Sequence, residues 1–270
     1  MSNGAPGGIV REAAKWAAEQ LLWNRVAAQH VLDVRGNRTR PRPAAASPTD
    51  VLSTRADWER ACAQLRELKL PLHRDKPKNW DTLAALSFVL ENVGSSGAVL
   101  DAGCARYSTL LPSLRLYGFT DLFGNNLEWS RATHHGPVRL LPGDMTATSF
   151  PDGRFDAITC LSVIEHGVPV KGFLVEAARL LKPGGVLFIS TDYDQNPPDT
   201  TGKTAYGQPV HIFSPDEIRD IVKQAGDVRL KLVGELRLDH AERPVHWSRL
   251  GIDYTFISLG LRKVDDREVD

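Results

Sequence analysis

The segment from Val99 to Tyr107 has the composition of a turn that meets a nucleotide-like ligand. A short apolar run ends in Asp101, small residues such as Gly103 and Cys104 follow, and a helical pattern opens at Ser108. A parallel strand presents such a turn to a ligand at the carboxyl edge of a sheet. Small residues let the backbone approach the ligand, and the acid can accept hydrogen bonds from it.

The elements that would position this turn alternate between strand and helix from residue 98 onward, which predicts a mostly parallel sheet with helices on both faces. The predicted strands are 98–101, 122–125, 138–141, 155–161, 185–191, 228–237 and 254–262. The predicted helices are 108–117, 127–133, 170–181 and 215–225. The last two strands have no clear helix between them and are expected to form an antiparallel pair at one edge. The predicted fold class is therefore α/β, a doubly wound sheet of seven strands with an N-terminal helical extension.

Composition limits the classes of partner. Lys plus Arg equal Asp plus Glu at 33 each, so no whole-surface field attracts nucleic acid or an acidic membrane. The three cysteines, Cys62, Cys104 and Cys160, are widely spaced and form no CxxC pair, which predicts neither a disulfide framework nor a zinc site. No segment resembles a secretion signal or reaches the length of a membrane span. A cytoplasmic protein without nucleic-acid or membrane partners is expected.

Residues 1–80 form a predicted helical extension or cap ahead of a domain at 81–264. Apolar residues recur at helical spacing from 9 to 34 and from 50 to 68, and prolines between 36 and 48 indicate a linker. The first helix either packs on the main domain or forms a lid or a homodimer contact. The segment 73–81 either folds over the ligand edge, where Trp80 would contact the cofactor, or is a surface turn with a half-buried Trp.

Three further motifs follow the turn at 100–104. They are LPGDM at 141–145, FPDGRFDAI at 150–158 with LSVIEH at 161–166, and ARLLKPGG at 178–185. In this order and spacing, residues 97–262 resemble the class I S-adenosylmethionine-dependent methyltransferases, in particular the small-molecule type 11 group. The resemblance implies a Rossmann-like fold and S-adenosylmethionine as the cofactor.

The resemblance also implies which residues contact the cofactor. These are Asp101, Gly103, Cys104, Ala105, Asn126, Asp144, Met145, Leu161 and Trp80. In the family, the acid at the position of Asp144 binds the adenine amino group and the next side chain lies against the ring. Two features depart from the family. Ala105 and Tyr107 stand where it has glycines, and Asn126 replaces the acid that binds the ribose hydroxyls, with Glu128 two residues later. An amide lacks the charge-assisted hydrogen bond, so weaker cofactor binding is expected.

Methyl transfer to a hydroxyl requires alignment of the reacting atoms and is helped by a base. His166, beyond the fourth strand of the predicted sheet, is the first candidate for that base, with a capping or packing role as the alternative. Asp192 and His211 are further catalytic candidates on the same edge, and Glu165 is expected to anchor the loop or the cofactor. Asp192, Asp194, His211 and His240 match no compact ligand spacing, so no metal is predicted. The loop 194–209 is a predicted substrate-contacting lid.

The predicted function is methyl transfer to a small molecule, with a hydroxyl of a sugar or secondary metabolite as the favoured acceptor. Transfer to nitrogen or carbon is the alternative within enzymes. A non-catalytic binding or scaffold protein is the alternative from another class, and the substitutions at Ala105, Tyr107 and Asn126 support it. Polynucleotide methylation would require a basic groove formed by Arg38, Arg40, Arg42, Arg74, Lys76 and Lys78.

Overall fold

The computed structural model describes residues 6–36, 39–205 and 207–264. The helices are α1 Pro6–Arg35, α2 Arg55–Glu67, α3 Lys78–Asn92, α4 Leu110–Leu116, α5 Val170–Leu180 and α6 Pro215–Asp227. The strands are β1 Asp50–Val51, β2 Ala98–Ala102, β3 Asp121–Asn126, β4 Thr133–His135, β5 Val138–Pro142, β6 Phe155–Leu161, β7 Leu181–Tyr193, β8 Thr204–Ala205, β9 Gln208–Pro209, β10 Leu230–Leu232, β11 Val245–Trp247 and β12 Ile252–Lys263.

The main sheet has the order β1-β12-β7-β6-β2-β3-β5-β4. Its centre, from β7 to β5, is parallel, whereas β12 is antiparallel to β7 and β4 is antiparallel to β5. Every residue of β2 is buried because helices cover both faces of a parallel sheet. The mostly parallel α/β fold predicted from the sequence is confirmed. Its parallel strands all end at one edge, and the turn after β2 lies there.

One predicted helix, at 127–133, is wrong. Residues 127–130 form a turn, and β4 follows and pairs with β5. The side-chain oxygen of Asn126 accepts a hydrogen bond from the backbone N–H of Glu128 at 2.8 Å. Such a local side-chain bond competes with helix formation. Trp129 is buried next to this turn, with the Arg106 guanidinium 5.0 Å from its ring centroid.

The strand predicted at 228–237 is much shorter than expected. Only β10 is extended, and it lies between Arg229 and Gly234, whose φ angles are 64° and 86°. A left-handed residue at each end stops the strand. The free edge of β12 is therefore shared by β10, β1 and β11. The sheet has ten strands within the described residues rather than the seven predicted.

The N-terminal segment packs closely on the sheet. Strand β1 pairs with β12, α2 packs on α3, and α1 packs on α4. On α1, Trp23 and Val26 are buried against the domain, whereas Trp16 and Leu32 are about 60% exposed. Among the described helices, none combines the length and the apolar character that crossing a bilayer requires.

Gly124 on β3 leaves room for the turn after β2. A Cβ at this position would lie 2.5 Å from Cys104 Sγ and 3.0 Å from Leu140 Cδ2. We expect Gly124→Ala to lower the free energy of unfolding by about 1–3 kcal/mol, the usual cost of overpacking. Urea denaturation measures this, with Gly143→Ala as the control, because the nearest atom to that Cβ is 3.9 Å away. Equal losses in the two variants would contradict the expectation.

Candidate functional site

Asp101, at the carboxyl end of β2, has one carboxylate oxygen without a partner. Its Oδ1 accepts a hydrogen bond from Thr159 Oγ1 at 2.8 Å, whereas its buried Oδ2 has no partner among the described residues. Burial, with a smaller contribution from the neighbouring carboxylate of Asp81, raises the pKa of Asp101 to about 7. A ligand that brings a cationic donor to this oxygen would favour the ionised form.

Asp81, on the first turn of α3, is a second buried acid at this edge. Its Oδ2 accepts hydrogen bonds from Ser190 Oγ at 2.7 Å and from Ser162 Oγ at 3.3 Å, and its Oδ1 has no partner in the described part of the chain. Burial raises the pKa of Asp81 to about 6, although Lys78 opposes the rise. Ser162 follows β6 with a φ of 52°. Such strain in a non-glycine residue is frequent at functional sites.

Two asparagines at the end of β3 hold the turn. The side-chain nitrogen of Asn126 donates to the carbonyls of Gly103 and Cys104, each at 3.1 Å. Asn125 Oδ1 accepts from the N–H of Gly103 at 3.3 Å. Gly103 has a φ of 73°, and a Cβ there would lie 2.5 Å from Val163 Cγ1, so only glycine fits. Asn126 thus shapes the turn from within, and its contact with a ribose stays a prediction.

The residues that replace glycines lie in a part of the turn that the N-terminal segment contacts. The guanidinium of Arg106 lies 3.5 Å from the buried carboxylate of Glu19 on α1, and the Glu19 oxygen also lies 2.8 Å from His135 Nε2. The ring of Tyr107 lies 5.7 Å from that of His73. The turn is therefore braced from two sides by segments that precede the sheet.

This brace predicts a role for Glu19 in cofactor affinity. We expect Glu19→Ala to weaken S-adenosylhomocysteine binding about five- to tenfold, because the loss of a part-buried ion pair costs on the order of 1 kcal/mol and loosens the turn. Calorimetric titration measures the affinity, and a melting curve reports whether the fold persists. The matched control is Asp216→Ala, which removes an exposed ion pair with Arg219. An affinity equal to that of the control would contradict the role.

The predicted adenine-binding residues lie beyond the end of β5, on the same edge. Asp144 Oδ1 accepts from the N–H and the hydroxyl of Thr146, both at 2.8 Å. Met145 is buried in the core, and Leu161 is half-buried at the end of β6. Trp80 instead lines a separate cavity of about 450 Å³ beside α2. The cofactor contacts of all four residues stay predictions.

A cleft of about 720 Å³ opens beyond the ends of β6 and β7. Its floor includes Glu165, Asp192, Tyr254 and Lys78. Thr191 Oγ1 donates to Glu165 Oε2 at 2.9 Å. Burial raises the pKa of Glu165, and burial together with the Glu165 charge raises that of Asp192. Burial disfavours the charged Lys78, yet the two acids outweigh it and raise its pKa. The raised pKa values make these two acids better proton acceptors than ordinary carboxylates.

The structure brings two of the three predicted catalytic residues together. His166 and Asp192 both line the cleft. Burial and the Lys78 charge lower the pKa of His166 to about 4, so its imidazole is neutral at pH 7. His211 is not among the residues that line the cleft. Its Nε2 lies 3.0 Å from Glu217 Oε1, and its ring packs edge-on against Phe213.

The outer wall of the cleft differs from the lid predicted at 194–209. The wall is formed by residues 244–249, the end of α2 that begins at Arg55, and residues 74–78. Arg243 anchors the first of these segments through two hydrogen bonds to the buried Asp194, at 2.7 and 2.8 Å. Trp58, Trp247 and Tyr254 are functional candidates that the sequence reasoning missed. The sequence signal that could have located this wall is the run of basic residues at 74–78, which leads into the start of α3.

The described residues bring together only part of the basic groove that polynucleotide methylation would require. Arg40 donates to the carbonyl of Leu68, and Arg42 donates to that of Leu90 at 2.9 Å, so both serve packing of the N-terminal segment. Arg38 lies outside the described residues. Only Arg74, Lys76 and Lys78 of the set border the cleft.

Comparison with known proteins gives concordant results. Residues 100–189 match the family described as "Methyltransferase domain". A sterol 24-C-methyltransferase of Gibberella zeae is 32% identical over 112 residues, which are 36% of this chain and 29% of the relative. A ubiquinone biosynthesis O-methyltransferase of Xanthomonas oryzae is 32% identical over 132 residues, which are 45% of this chain and 52% of the relative. The chain thus spans from under a third to about half of the length of these curated relatives.

Solved structures show the same fold. The geranyl diphosphate C-methyltransferase of Streptomyces coelicolor, in complex with Mg²⁺, geranyl diphosphate and S-adenosylhomocysteine, superimposes with a TM-score of 0.51 at 18% identity. The superposition covers 83% of the present chain and 91% of the Streptomyces coelicolor enzyme. The [4+2]-cyclase SpnF superimposes with a TM-score of 0.50 at 15% identity over 68% of this chain and 83% of that chain. The fold that the sequence predicted is confirmed, and residues 100–189 of the chain match the methyltransferase-domain family.

Proposed function

We propose that the protein transfers the methyl group of S-adenosylmethionine to an oxygen atom of a small molecule bound in the cleft. The main support is one arrangement. Two buried carboxylates with unpartnered oxygens, Asp101 and Asp81, lie beside the turn after β2, and a second acidic pair, Glu165 and Asp192, lies on the floor of the adjoining cleft. The first pair suits a cationic cofactor, and the second suits an acceptor that loses a proton.

The residues of the turn fit S-adenosylmethionine. The unpartnered Asp101 Oδ2 would accept a hydrogen bond from its ammonium group, and a positive ligand would relieve the raised pKa values of Asp101 and Asp81. Asp144 and Met145 would hold the adenine, and Asn126 or the exposed Glu128 would bind the ribose. When bound, the cofactor supplies an activated methyl group on a positively charged sulfur.

The floor of the cleft would manage the acceptor's proton. Because burial raises the pKa of both Glu165 and Asp192, an ionised oxygen of the pair would accept a hydroxyl proton more readily than an ordinary carboxylate. Lys78 stabilises the negative charge of the pair. Tyr254 donates a hydrogen bond to Asp192, which orients that carboxylate. The neutral His166 is a second proton acceptor at the mouth of this group, although its pKa of about 4 makes it a weak base.

Transfer to carbon is the second candidate. Trp58, Trp247 and Tyr254 line the cleft, and aromatic faces stabilise a cationic intermediate on a carbon substrate. The two reactions differ in their acceptors. An alkene is methylated only by a carbon methyltransferase, whereas a phenol or a sugar hydroxyl reports oxygen transfer. A sugar or a secondary metabolite stays the proposed oxygen acceptor, and a cytoplasmic location and a homodimer are likewise proposals.

Two measurements test the proposed function. Calorimetric titration with S-adenosylmethionine and S-adenosylhomocysteine should give micromolar binding that weakens at least tenfold in Asp144→Ala. Transfer of a labelled methyl group should then be assayed with phenols, sugars, amines and alkenes. Labelled ethers would support the proposal, and labelled hydrocarbon products would favour the second candidate. A folded protein that binds neither cofactor form would overturn the proposal and favour a scaffold.

A further inference from the structure

The mouth of the cleft is more positively charged than the rest of the chain. Arg74, Lys76 and Arg249 border it, and none of the three has an ion-pair partner among the residues that the structure describes. Among the described residues that line the cleft, Asp75 is the one acid outside the floor. Two positive charges are therefore uncompensated at the mouth, although the whole chain has a formal net charge of zero.

These positive charges are not needed to compensate the carboxylates on the floor of the cleft. There, the charge of Lys78 already acts on the acidic pair of Glu165 and Asp192. Arg55 is also accounted for, because its Nε lies 2.8 Å from Glu59 Oε1. The three exposed cations of the mouth are consequently available to a ligand.

A separate observation also indicates a ligand at this wall. Trp58 lines the cleft and is only 8% exposed, yet its indole N–H has no acceptor among the described residues. A buried donor without a partner costs free energy unless a ligand or water accepts its hydrogen bond. Trp247 provides a second aromatic surface, with Arg249 5.8 Å from its ring centroid. The wall thus combines a planar apolar surface with cations and a free donor.

We propose that the acceptor carries a phosphate-type dianion, which Arg74, Lys76 and Arg249 bind at the mouth while the body of the acceptor packs against Trp58 and Trp247. A phosphate monoester carries close to two negative charges at neutral pH, which matches the uncompensated charge of the mouth. Its oxygens are acceptors for guanidinium groups and for the Trp58 N–H. This assignment rests on the proposed function for the identity of the ligand as the methyl acceptor, but its binding can be measured separately.

Binding of phenyl phosphate, with phenol and benzoate as matched probes, tests the assignment. In calorimetric titrations at pH 8, we expect phenyl phosphate to bind at least tenfold more tightly than phenol and at least threefold more tightly than benzoate. Raising the salt from 50 to 500 mM should weaken phenyl phosphate binding selectively, because salt screens exposed charges. Lowering the pH from 8 to 5 should also weaken it, because the phosphate dianion takes up one proton and becomes a monoanion.

Variants assign the binding to the mouth. Arg249→Gln and the double variant Arg74→Gln, Lys76→Gln should each weaken phenyl phosphate binding at least fivefold and leave phenol binding unchanged. Lys223→Gln is the control, because it removes an exposed lysine on α6 that does not line the cleft. Melting curves confirm that each variant is folded.

Each outcome decides for or against the assignment. Equal binding of phenyl phosphate and phenol, or equal losses in Arg249→Gln and Lys223→Gln, would overturn it. If benzoate binds as tightly as phenyl phosphate, the site recognises a carboxylate as well as a dianion, and the assignment to a phosphate-type dianion is wrong. Titration with S-adenosylhomocysteine on the same samples separates the two proposals. If the cofactor fails to bind while phenyl phosphate binds through Arg249, the proposed methyl transfer is wrong and the anion site stands.

Discussion

Asp101→Asn is expected to stabilise the ligand-free protein and to weaken S-adenosylmethionine binding at the same time. The carboxylate has an ordinary pKa of 3.8 and a pKa of about 7 in the fold, so the folded protein holds a proton there that the unfolded chain releases. Stability is therefore lost as the pH rises from about 4 to 7. The full loss above that range is about 4 kcal/mol, and we expect Asn to recover roughly half of it, because its amide hydrogens lack acceptors.

The two effects have opposite signs and separate readouts. Urea denaturation at pH 5 and pH 9 should show the gain in stability at pH 9 and little change at pH 5. Calorimetry should show a loss of S-adenosylmethionine affinity of about 100-fold, as the loss of one partner of a buried charge-assisted hydrogen bond predicts. Asp144→Asn, at the more exposed acid of the same edge, should leave stability unchanged. A variant that gains stability and keeps its affinity would exclude Asp101 as the cofactor's partner.

Asp192→Asn should lower the rate of methyl transfer about 100-fold or more while the protein remains folded. Removal of a positioned proton acceptor usually costs this much, and the Asn side chain retains the shape that Tyr254 contacts. Asp199→Asn, on the loop that follows, is the control. Among the described residues, Thr201 alone donates a hydrogen bond to its carboxylate, so the rate should not change.

The pH profile distinguishes the two candidate bases. Because burial and Glu165 raise the pKa of Asp192, the wild-type rate should fall on acidification at a higher pH than an ordinary carboxylate would cause. A base with the pKa of His166, about 4, would leave the rate constant throughout pH 6–8. His166→Ala should therefore retain most activity. If His166→Ala abolishes transfer and Asp192→Asn does not, the roles are reversed.

The parts of the fold that could be predicted are those in which one local signal decides the structure. The apolar run before Asp101 and the small residues after it fix β2 and its turn, and Gly103 occupies a conformation that only glycine tolerates there. The helix at 127–133 could not be excluded in this way, since a single hydrogen bond decides against it, which Asn126 Oδ1 accepts from the backbone N–H of Glu128. The same side chain was assigned to the ribose, yet its nitrogen holds the carbonyls of the turn.

The residues of the candidate site at the carboxyl edge of the sheet could be predicted from the sequence, whereas those of the outer wall of the cleft could not. His166 follows β6, and Asp192 lies at the carboxyl end of the neighbouring parallel strand β7, so the topology brings them together. His211 was placed on the same edge, but it pairs with Glu217, which closes the capping box at the start of α6. Trp58 and Arg249 line the same cleft because β1, shortly before Trp58, and β11, shortly before Arg249, both pair with β12. No local sequence pattern predicts that proximity.

The contact between Glu19 and Arg106 couples the packing of α1 to the conformation of the turn after β2. If the packing of α1 on the domain stabilises the turn, then a ligand bound at the turn must in return stabilise the packing of α1, because linkage is reciprocal. Binding of the cofactor to the site should therefore change the rate at which a protease cleaves α1. We expect proteolytic cleavage within α1 to slow when S-adenosylhomocysteine is added. We also expect a binder of the exposed Trp16, about one turn before Glu19 on the same helix, to change the affinity of the site.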